Sequence, residues 1–239
     1  MPPHVSQQSF EDPPQDDSRN NVLSGGVSSK FIIVEGSIGV GKSSLAKKLA
    51  QTFGSALLLE KPVDNPFLQR FYKSPKRFAL STQLFFLFQR VQQVADLKQE
   101  DMFMPGRVAD FMIEKDPLFA QVTLNDEEFR LYQQVYKTLT IEAPEPDLVI
   151  YLQAPVEVLQ MRIKKRRVKY EATIEATYLQ RIADAYTAFF YRYSDTPLLI
   201  VNAAKINPIE NEQHYSALVD HISRIDAGKH FFNPLDEAL

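Results

Sequence analysis

Short runs of apolar residues recur along the chain, separated by longer stretches with helical spacing. Phe31-Ile32-Ile33-Val34-Glu35 is a β-rich run that predicts a buried strand. Ala56 to Leu59, Pro146 to Leu152, Leu198 to Asn202 and, more weakly, Arg107 to Asp110 predict four further strands. Between them, helical spacing runs from Ser43 to Ala50 with Gly54 as a stop, from Arg77 to about Leu97, and from Asn125 towards Thr140. It returns from Val156 to Arg166 and from Tyr178 to Tyr193. Asn207-Pro208-Ile209-Glu210 offers a capping Asn, Pro at the first helical position and an acid at the third, so a last helix is predicted there, fading near Gly228. Strands that are apolar nearly throughout imply a parallel sheet covered on both faces. The expected fold is therefore α/β, with five parallel strands flanked by helices.

The helix over residues 77–97 is unusual. Leu80, Leu84, Phe85, Phe88, Val91 and Val94 mark one side, and Phe86 and Leu87 carry the apolar surface round most of the circumference. Such a helix is deeply buried or lies at a subunit interface.

Gly36-Ser37-Ile38-Gly39-Val40-Gly41-Lys42-Ser43 stands between the first strand and the first helix and reads G-x-x-x-x-G-K-S. Glycines let such a loop turn its N–H groups toward an anion, which also meets the positive end of the helix. Gly36, Ser37, Gly39, Val40, Gly41, Lys42, Ser43 and Ser44 are the expected phosphate-binding residues. In this motif the lysine reaches the β/γ-phosphates and the Ser43 hydroxyl ligates Mg²⁺. The expected ligand is a nucleoside triphosphate.

Composition narrows the remaining classes. The 239 residues suit one α/β domain with a sizeable core. With no cysteine, disulfides, cysteine metal sites and thiol catalysis are excluded, and the four histidines show no metal-ligand spacing. No apolar run approaches the ~20 residues of a membrane helix, and the polar N-terminus lacks a signal-peptide core. A soluble cytoplasmic protein is expected, with no membrane partner. The net charge of −3 resides in residues 1–29, where Glu11, Asp12, Asp16 and Asp17 oppose Arg19 alone. The rest is balanced, so no nucleic-acid surface is expected. Residues 1–29, rich in Pro, Gln, Ser, Asp and Asn, are expected to be a disordered leader to a domain over 30–239.

Ligands of parallel α/β sheets sit at the carboxyl ends of the strands, which places Glu60, Asp110 and the phosphate loop along one rim. Phosphoryl transfer to a hydroxyl needs positioning, charge neutralisation and a base near that hydroxyl, and Glu60 is the candidate base. Arg162, Lys164, Lys165, Arg166, Arg167 and Lys169 form a basic segment that reads as a mobile lid. Its arginines, Arg162, Arg166 and Arg167, would meet the transferring phosphoryl group.

At this point the chain resembles the deoxynucleoside kinases, the family of deoxycytidine, deoxyguanosine and deoxyadenosine kinases, over about residues 30–225. The resemblance rests on Glu35 to Ser43; Glu60 with Asn65-Pro66-Phe67-Leu68 and Phe71-Tyr72; and Gln83 with Arg90. It continues through Asp110 with Lys115 and Phe119-Ala120, Arg162 to Arg166, and Tyr170-Glu171. The Asn-Pro-Phe-Leu and Asp-Phe…Lys…Phe-Ala pieces are most similar to the bacterial branch. The resemblance implies a P-loop kinase fold with a basic lid and a transfer from ATP, with Mg²⁺, to the 5′-hydroxyl of a deoxynucleoside in nucleotide salvage. It favours purine deoxynucleosides and a homodimer. Glu60 would take the 5′-hydroxyl proton; Tyr72 and Glu171 would hold the sugar 3′-hydroxyl. Gln83 would pair with the base, Arg90 would assist at its edge, and Phe119 would stack on it.

Two departures stand out. Many members carry Glu-Arg-Ser after the third strand, whereas this chain has Val108-Ala109-Asp110-Phe111. The arginine is missing; Asp110 would ligate Mg²⁺ directly or through water, and Arg107 is a candidate to replace the lost charge. The lid reads Arg166-Arg167-Val168 instead of Arg-Gly-Arg. Two alternatives share the loop. A monophosphate kinase of the thymidylate kinase type would need further cations for an acceptor phosphate, and a GTPase-like switch should show Asn-Lys-x-Asp, which is absent.

Overall fold

A computed structural model describes residues 30–99, 106–139 and 142–233. The expected leader over 1–29 and the Thr140 end of the middle helix lie outside the described residues. Six parallel strands form one sheet in the order β2-β3-β1-β4-β5-β6. They are β1 (Phe31–Gly36), β2 (Ala56–Leu58), β3 (Arg107–Ala109), β4 (Leu148–Gln153), β5 (Leu198–Asn202) and β6 (Lys229–Phe232). The helices are α1 (Lys42–Phe53), α2 (Leu68–Lys73), α3 (Pro75–Gln99), α4 (Asp116–Thr123) and α5 (Asp126–Thr138), then α6 (Val156–Arg166), α7 (Ala176–Arg192) and α8 (Glu212–Ile222). One core cluster joins α1 and α8 to the sheet through Leu45, Leu49, Ile150, Leu218 and Ile222. Another joins α7 to it through Ile33, Val149, Ile182 and Phe190. Apolar strands lie between two helical layers.

Six strands replace the expected five. The sixth, β6, pairs with β5 from Leu198↔Lys229 to Val201↔Phe232. It is an edge strand in which only Phe232 is buried, while Phe231 is 68% exposed, so it has no apolar run to announce it. The last helix also starts later than expected. Asn207 closes a local turn, its side chain accepting from Glu210 N at 3.2 Å and its carbonyl from Asn211 N at 2.9 Å. Asn211 then caps α8 by accepting from His214 N at 3.0 Å. Two capping asparagines stand four residues apart, and the second one opens the helix.

Helix α3 explains its circumferential apolar pattern by having two partners. Ala79, Thr82, Gln83, Leu87, Arg90, Val94 and Leu97 are buried along one side. Leu80, Leu84 and Val91 are partly buried and pack with Tyr132, Val135 and Tyr136 of α5. Phe88 remains 52% exposed. Asn125 opens α5 with a full capping box to Glu128.

Helix α6 ends at Arg167, which adopts φ 56°, the sole non-glycine residue at positive φ among the described residues. A side chain in this left-handed conformation costs about 1–2 kcal/mol, which is why glycine usually follows a helix end. Arg167→Gly should therefore raise stability by about 0.5–1 kcal/mol in thermal or urea denaturation, the gain being reduced by glycine's own chain entropy. A β-branched Arg167→Val should lower it. Equal stability of all three proteins would remove the strain from this position.

Candidate active site

The phosphate loop is built where β1 meets α1. Gly36 takes φ 148°, and a Cβ there would lie 2.5 Å from the Leu152 carbonyl oxygen of β4, so only glycine lets the two strand ends come this close. Gly41 is the N-cap of α1 at φ 110°, and no side chain caps its first turn. Those amides face outward with the positive end of the helix behind them. Lys42, the first residue of α1, is half-buried. Burial and then the Lys115 ammonium lower its pKa, while Glu35, Glu60 and Asp110 act the other way.

The ends of β2 and β3 supply the carboxylates. Asp110 follows β3 and is 2% exposed. Its Oδ1 accepts from the Glu60 backbone N at 2.7 Å, its Oδ2 takes the Ser43 hydroxyl, and its own N donates to Leu58 O at 3.1 Å. The loop after β2 is held to α3 by Gln93 on Leu59 O (2.9 Å) and Gln89 on Lys61 O (3.3 Å). Buried Asn65 adds a third tie, donating to Thr82 O at 3.2 Å. Thus the Asn-Pro-Phe-Leu piece fixes the loop on the helix.

Glu60 sits at the centre of a cluster of buried charge. Its Oε1 takes Arg90 Nε at 3.0 Å, Arg90 Nη2, and Lys115 Nζ at 3.2 Å. Burial alone would raise the carboxyl, but Arg90, Lys115 and Lys42, with the Arg90 hydrogen bonds, hold it well below the usual carboxylate range. Arg90 also pairs with Asp116, and Lys115 lies 2.8 Å from Glu35. Glu35, fully buried at the end of β1, accepts from Gly36 N, Met112 N and the Tyr186 hydroxyl, each at 3.0 Å.

The opposite wall is aromatic and polar. Tyr72 stacks on Tyr170 at 6.2 Å and meets Tyr178 edge-on at 6.5 Å. Burial, Tyr178 and Glu171 push the Tyr72 hydroxyl well above its ordinary pKa, so it stays protonated and able to donate. Glu171 pairs with Arg166 at 2.7 Å, and burial raises its pKa against that partner. Phe119 packs edge-on against Tyr186 at 5.8 Å.

These elements close on one cleft. It is lined by Gly39, Lys42 and Ser43 on the loop side, by Glu60 and Asp110 on the rim, and by Tyr72, Gln83 and Arg90 on the helical wall. Phe119, Arg166 and Glu171 complete it. Val40, Gly41 and Ser44 line a second groove, which shares Lys42 and Ser43 with the first. Gly36 and Ser37 lie beneath the loop, buried.

Some side chains stand elsewhere than expected. Arg162 donates to the backbone carbonyls of Val40 (2.9 Å) and Ala203 (2.6 Å), so in this conformation it ties α6 to the phosphate loop and lines only the second groove. Arg167 is exposed and lines neither groove. Arg90, expected at a base edge, is engaged by the carboxylates of Glu60 and Asp116. Arg107 cannot replace the missing arginine. It opens β3, level with Phe31 and Ala56 at the starts of their strands, and reaches Leu97 O at the far end of the sheet. About 10 Å of strand separates it from Asp110. The cations in contact with Glu60 are Arg90 and Lys115. Glu35, Asp116, Tyr178 and Tyr186 had no assigned role in the sequence reading. An acid closing the apolar run Ile32-Ile33-Val34 was the available signal for Glu35.

The donor set suits Mg²⁺. Ser43 and Asp110 offer a hydroxyl and a carboxylate in direct contact beside the phosphate loop. No group of three metal-ligating side chains occurs among the described residues.

The sequence profile of the deoxynucleoside kinase family matches residues 32–225. The chain is 30% identical over 201 residues to a deoxyguanosine kinase of Bacillus subtilis, spanning 82% of this chain and 97% of that protein. It is 30% identical over 188 residues to a deoxyadenosine kinase of Dictyostelium discoideum, 76% of each. Among solved structures, deoxyadenosine kinase from M. mycoides with bound dATP superposes with a TM-score of 0.71 at 23% identity, over 81% of this chain and 98% of that one, and so shares the fold. With its phosphate loop, its rim of carboxylates and a family match across nearly all the described residues, the chain belongs to the deoxynucleoside kinase family.

Proposed function

We propose that this enzyme transfers the γ-phosphoryl group of ATP to the 5′-hydroxyl of a deoxynucleoside, with Glu60 as the base. The observation that carries the reading is the placement of Glu60 on the same rim as Lys42, Ser43 and Asp110, opposite a wall that bears Tyr72 and Gln83. The contacts on Glu60 converge on Oε1, leaving Oε2 to receive the hydroxyl proton. A carboxyl held at low pKa serves this reaction, because phosphoryl transfer is carried mostly by positioning and charge neutralisation and asks little of the base. Ser43 and Asp110 would hold Mg²⁺, which neutralises charge on the donor phosphates when bound. Lys42 and Arg166 flank the same space, and Arg162 supports the loop through Val40 O.

Tyr72 and Glu171 suit a sugar 3′-hydroxyl, one as donor and the other as acceptor, and Gln83 suits the paired donor and acceptor of a base edge. Purine deoxynucleosides are the favoured acceptors, in line with the deoxyguanosine and deoxyadenosine kinases among the relatives. Among the described residues no helix is long and apolar enough to cross a membrane. We place the enzyme in cytoplasmic nucleotide salvage, with residues 1–29 as a leader to the domain over 30–239.

Glu60→Gln should lower kcat by about 10²–10⁴-fold while leaving the Kd for ATP within a few-fold of wild type. Wild-type-like turnover would remove Glu60 as the base. In the same assay, chelation of Mg²⁺ should abolish turnover, and deoxyguanosine or deoxyadenosine should give a higher kcat/KM than deoxycytidine or thymidine. A pyrimidine optimum would overturn the base preference.

The homodimer is part of the proposal. Helices α3 and α5 lie side by side, with Phe88 52% and Leu131 48% exposed, an arrangement suited to a helical interface. Sedimentation equilibrium at micromolar concentration should give about twice the 27.4 kDa chain mass, and Phe88→Asp with Leu131→Asp should reduce it to one chain. A wild-type mass of one chain would refute the dimer.

A further inference from the structure

Lys115 is an ammonium with a side chain only 1% exposed, and it is held by two carboxylates. Burying such a charge costs several kcal/mol unless its partners are close and fixed. One partner is rigid. Glu35 is the penultimate residue of β1 and is pinned by two backbone amides and the Tyr186 hydroxyl. Burial and the Glu35 charge keep that hydroxyl protonated, so it remains a donor. The other partner, Glu60, stands two residues beyond the end of β2, on a segment tied down by contacts with Asp110 and α3 rather than by strand pairing. Lys115 spans the two, 2.8 Å from Glu35 Oε1 and 3.2 Å from Glu60 Oε1.

The adjacent residue works the same way one bond further out. Asp116, 1% exposed, pairs with Arg90, and Arg90 in turn reaches Glu60 Oε1. The start of α4 therefore presents a cation that holds Glu60 directly and an anion that holds it through Arg90. Both constraints act on the same oxygen, which fixes the rotation of the carboxylate and the direction of Oε2.

We propose that Lys115 is a positioning residue for Glu60, a buried peg that transfers the rigidity of Glu35 and β1 to the carboxylate that faces the acceptor hydroxyl. The inference rests on the assignment of Glu60 as the base. A merely structural Lys115 would serve only to neutralise Glu35, and the two roles differ in what a charge-balanced replacement restores.

The test compares wild type, Glu60→Gln, Lys115→Gln and the double variant Lys115→Met/Glu35→Gln, which removes both members of the buried pair. Each is measured for melting temperature and for kcat and KM with ATP and deoxyguanosine or whichever deoxynucleoside is turned over fastest. Lys115→Gln keeps a donor for Glu35 and serves if the double variant does not fold. In the folded Lys115→Gln and double variants kcat should fall about 30- to 100-fold while both KM values stay within about threefold, the scale of a misplaced reacting group. A double variant that recovers wild-type kcat, or a folded Lys115→Gln that never loses it, overturns the proposal and leaves Lys115 as a neutraliser of Glu35. If Glu60→Gln itself keeps wild-type turnover, the base assignment fails instead, and the inference goes with it.

Discussion

Charges taken out of water must find opposite charges, and under this cleft they do so across four separate elements. Glu35 from β1, Glu60 from beyond β2, Arg90 from α3 and Lys115 with Asp116 at the start of α4 are joined in one chain of contacts. Asp110 extends it to Ser43 on α1. None of these residues is adjacent in sequence to its partner across the cluster. The sheet must be formed, and α3 laid over its rim, before the charges can meet. The geometry of the cleft and the tertiary structure are therefore stabilised by the same contacts.

The parallel sheet makes that convergence possible. Strands β1, β2 and β3 run in one direction with Ile32, Leu57 and Val108 in register, so their carboxyl ends arrive together at a single rim. Gly36 lets the phosphate loop leave β1 close against β4. Helix α3, tied to the loop after β2 by Asn65, Gln89 and Gln93, brings Gln83 and Arg90 over the same opening. The basic segment after β4 closes the other side of the cleft. Arg166 and Glu171, five residues apart, pair with each other at its edge.

Features that follow from local chemistry were legible in the sequence. The phosphate loop, the apolar strands β1, β4 and β5, and the Asn125 capping box all declare themselves within a few residues. Strand β6 did not, because an edge strand is stabilised by pairing with β5 rather than by its own burial. The start of α8 was misplaced because Asn207 and Asn211 are both competent caps. The partners of Lys115 and Arg90 were not legible either: they come from strand and helix ends brought together by the fold, over sequence separations that no motif spans. The lid position Arg167 shows the converse. A glycine expected from the family pattern is replaced by an arginine, and the backbone still adopts the conformation that glycine would favour.

In the proposed reaction the phosphoryl group leaves ATP for a deoxynucleoside 5′-hydroxyl and not for water or an existing phosphate. Product stoichiometry decides this, with Mg·ATP and a saturating purine deoxynucleoside, and dTMP or no acceptor as parallel reactions. One deoxynucleoside 5′-monophosphate should appear for every ADP formed, with ADP production falling to background when the acceptor is omitted or replaced by dTMP. ADP formed at the same rate without an acceptor, or only with dTMP, would contradict it.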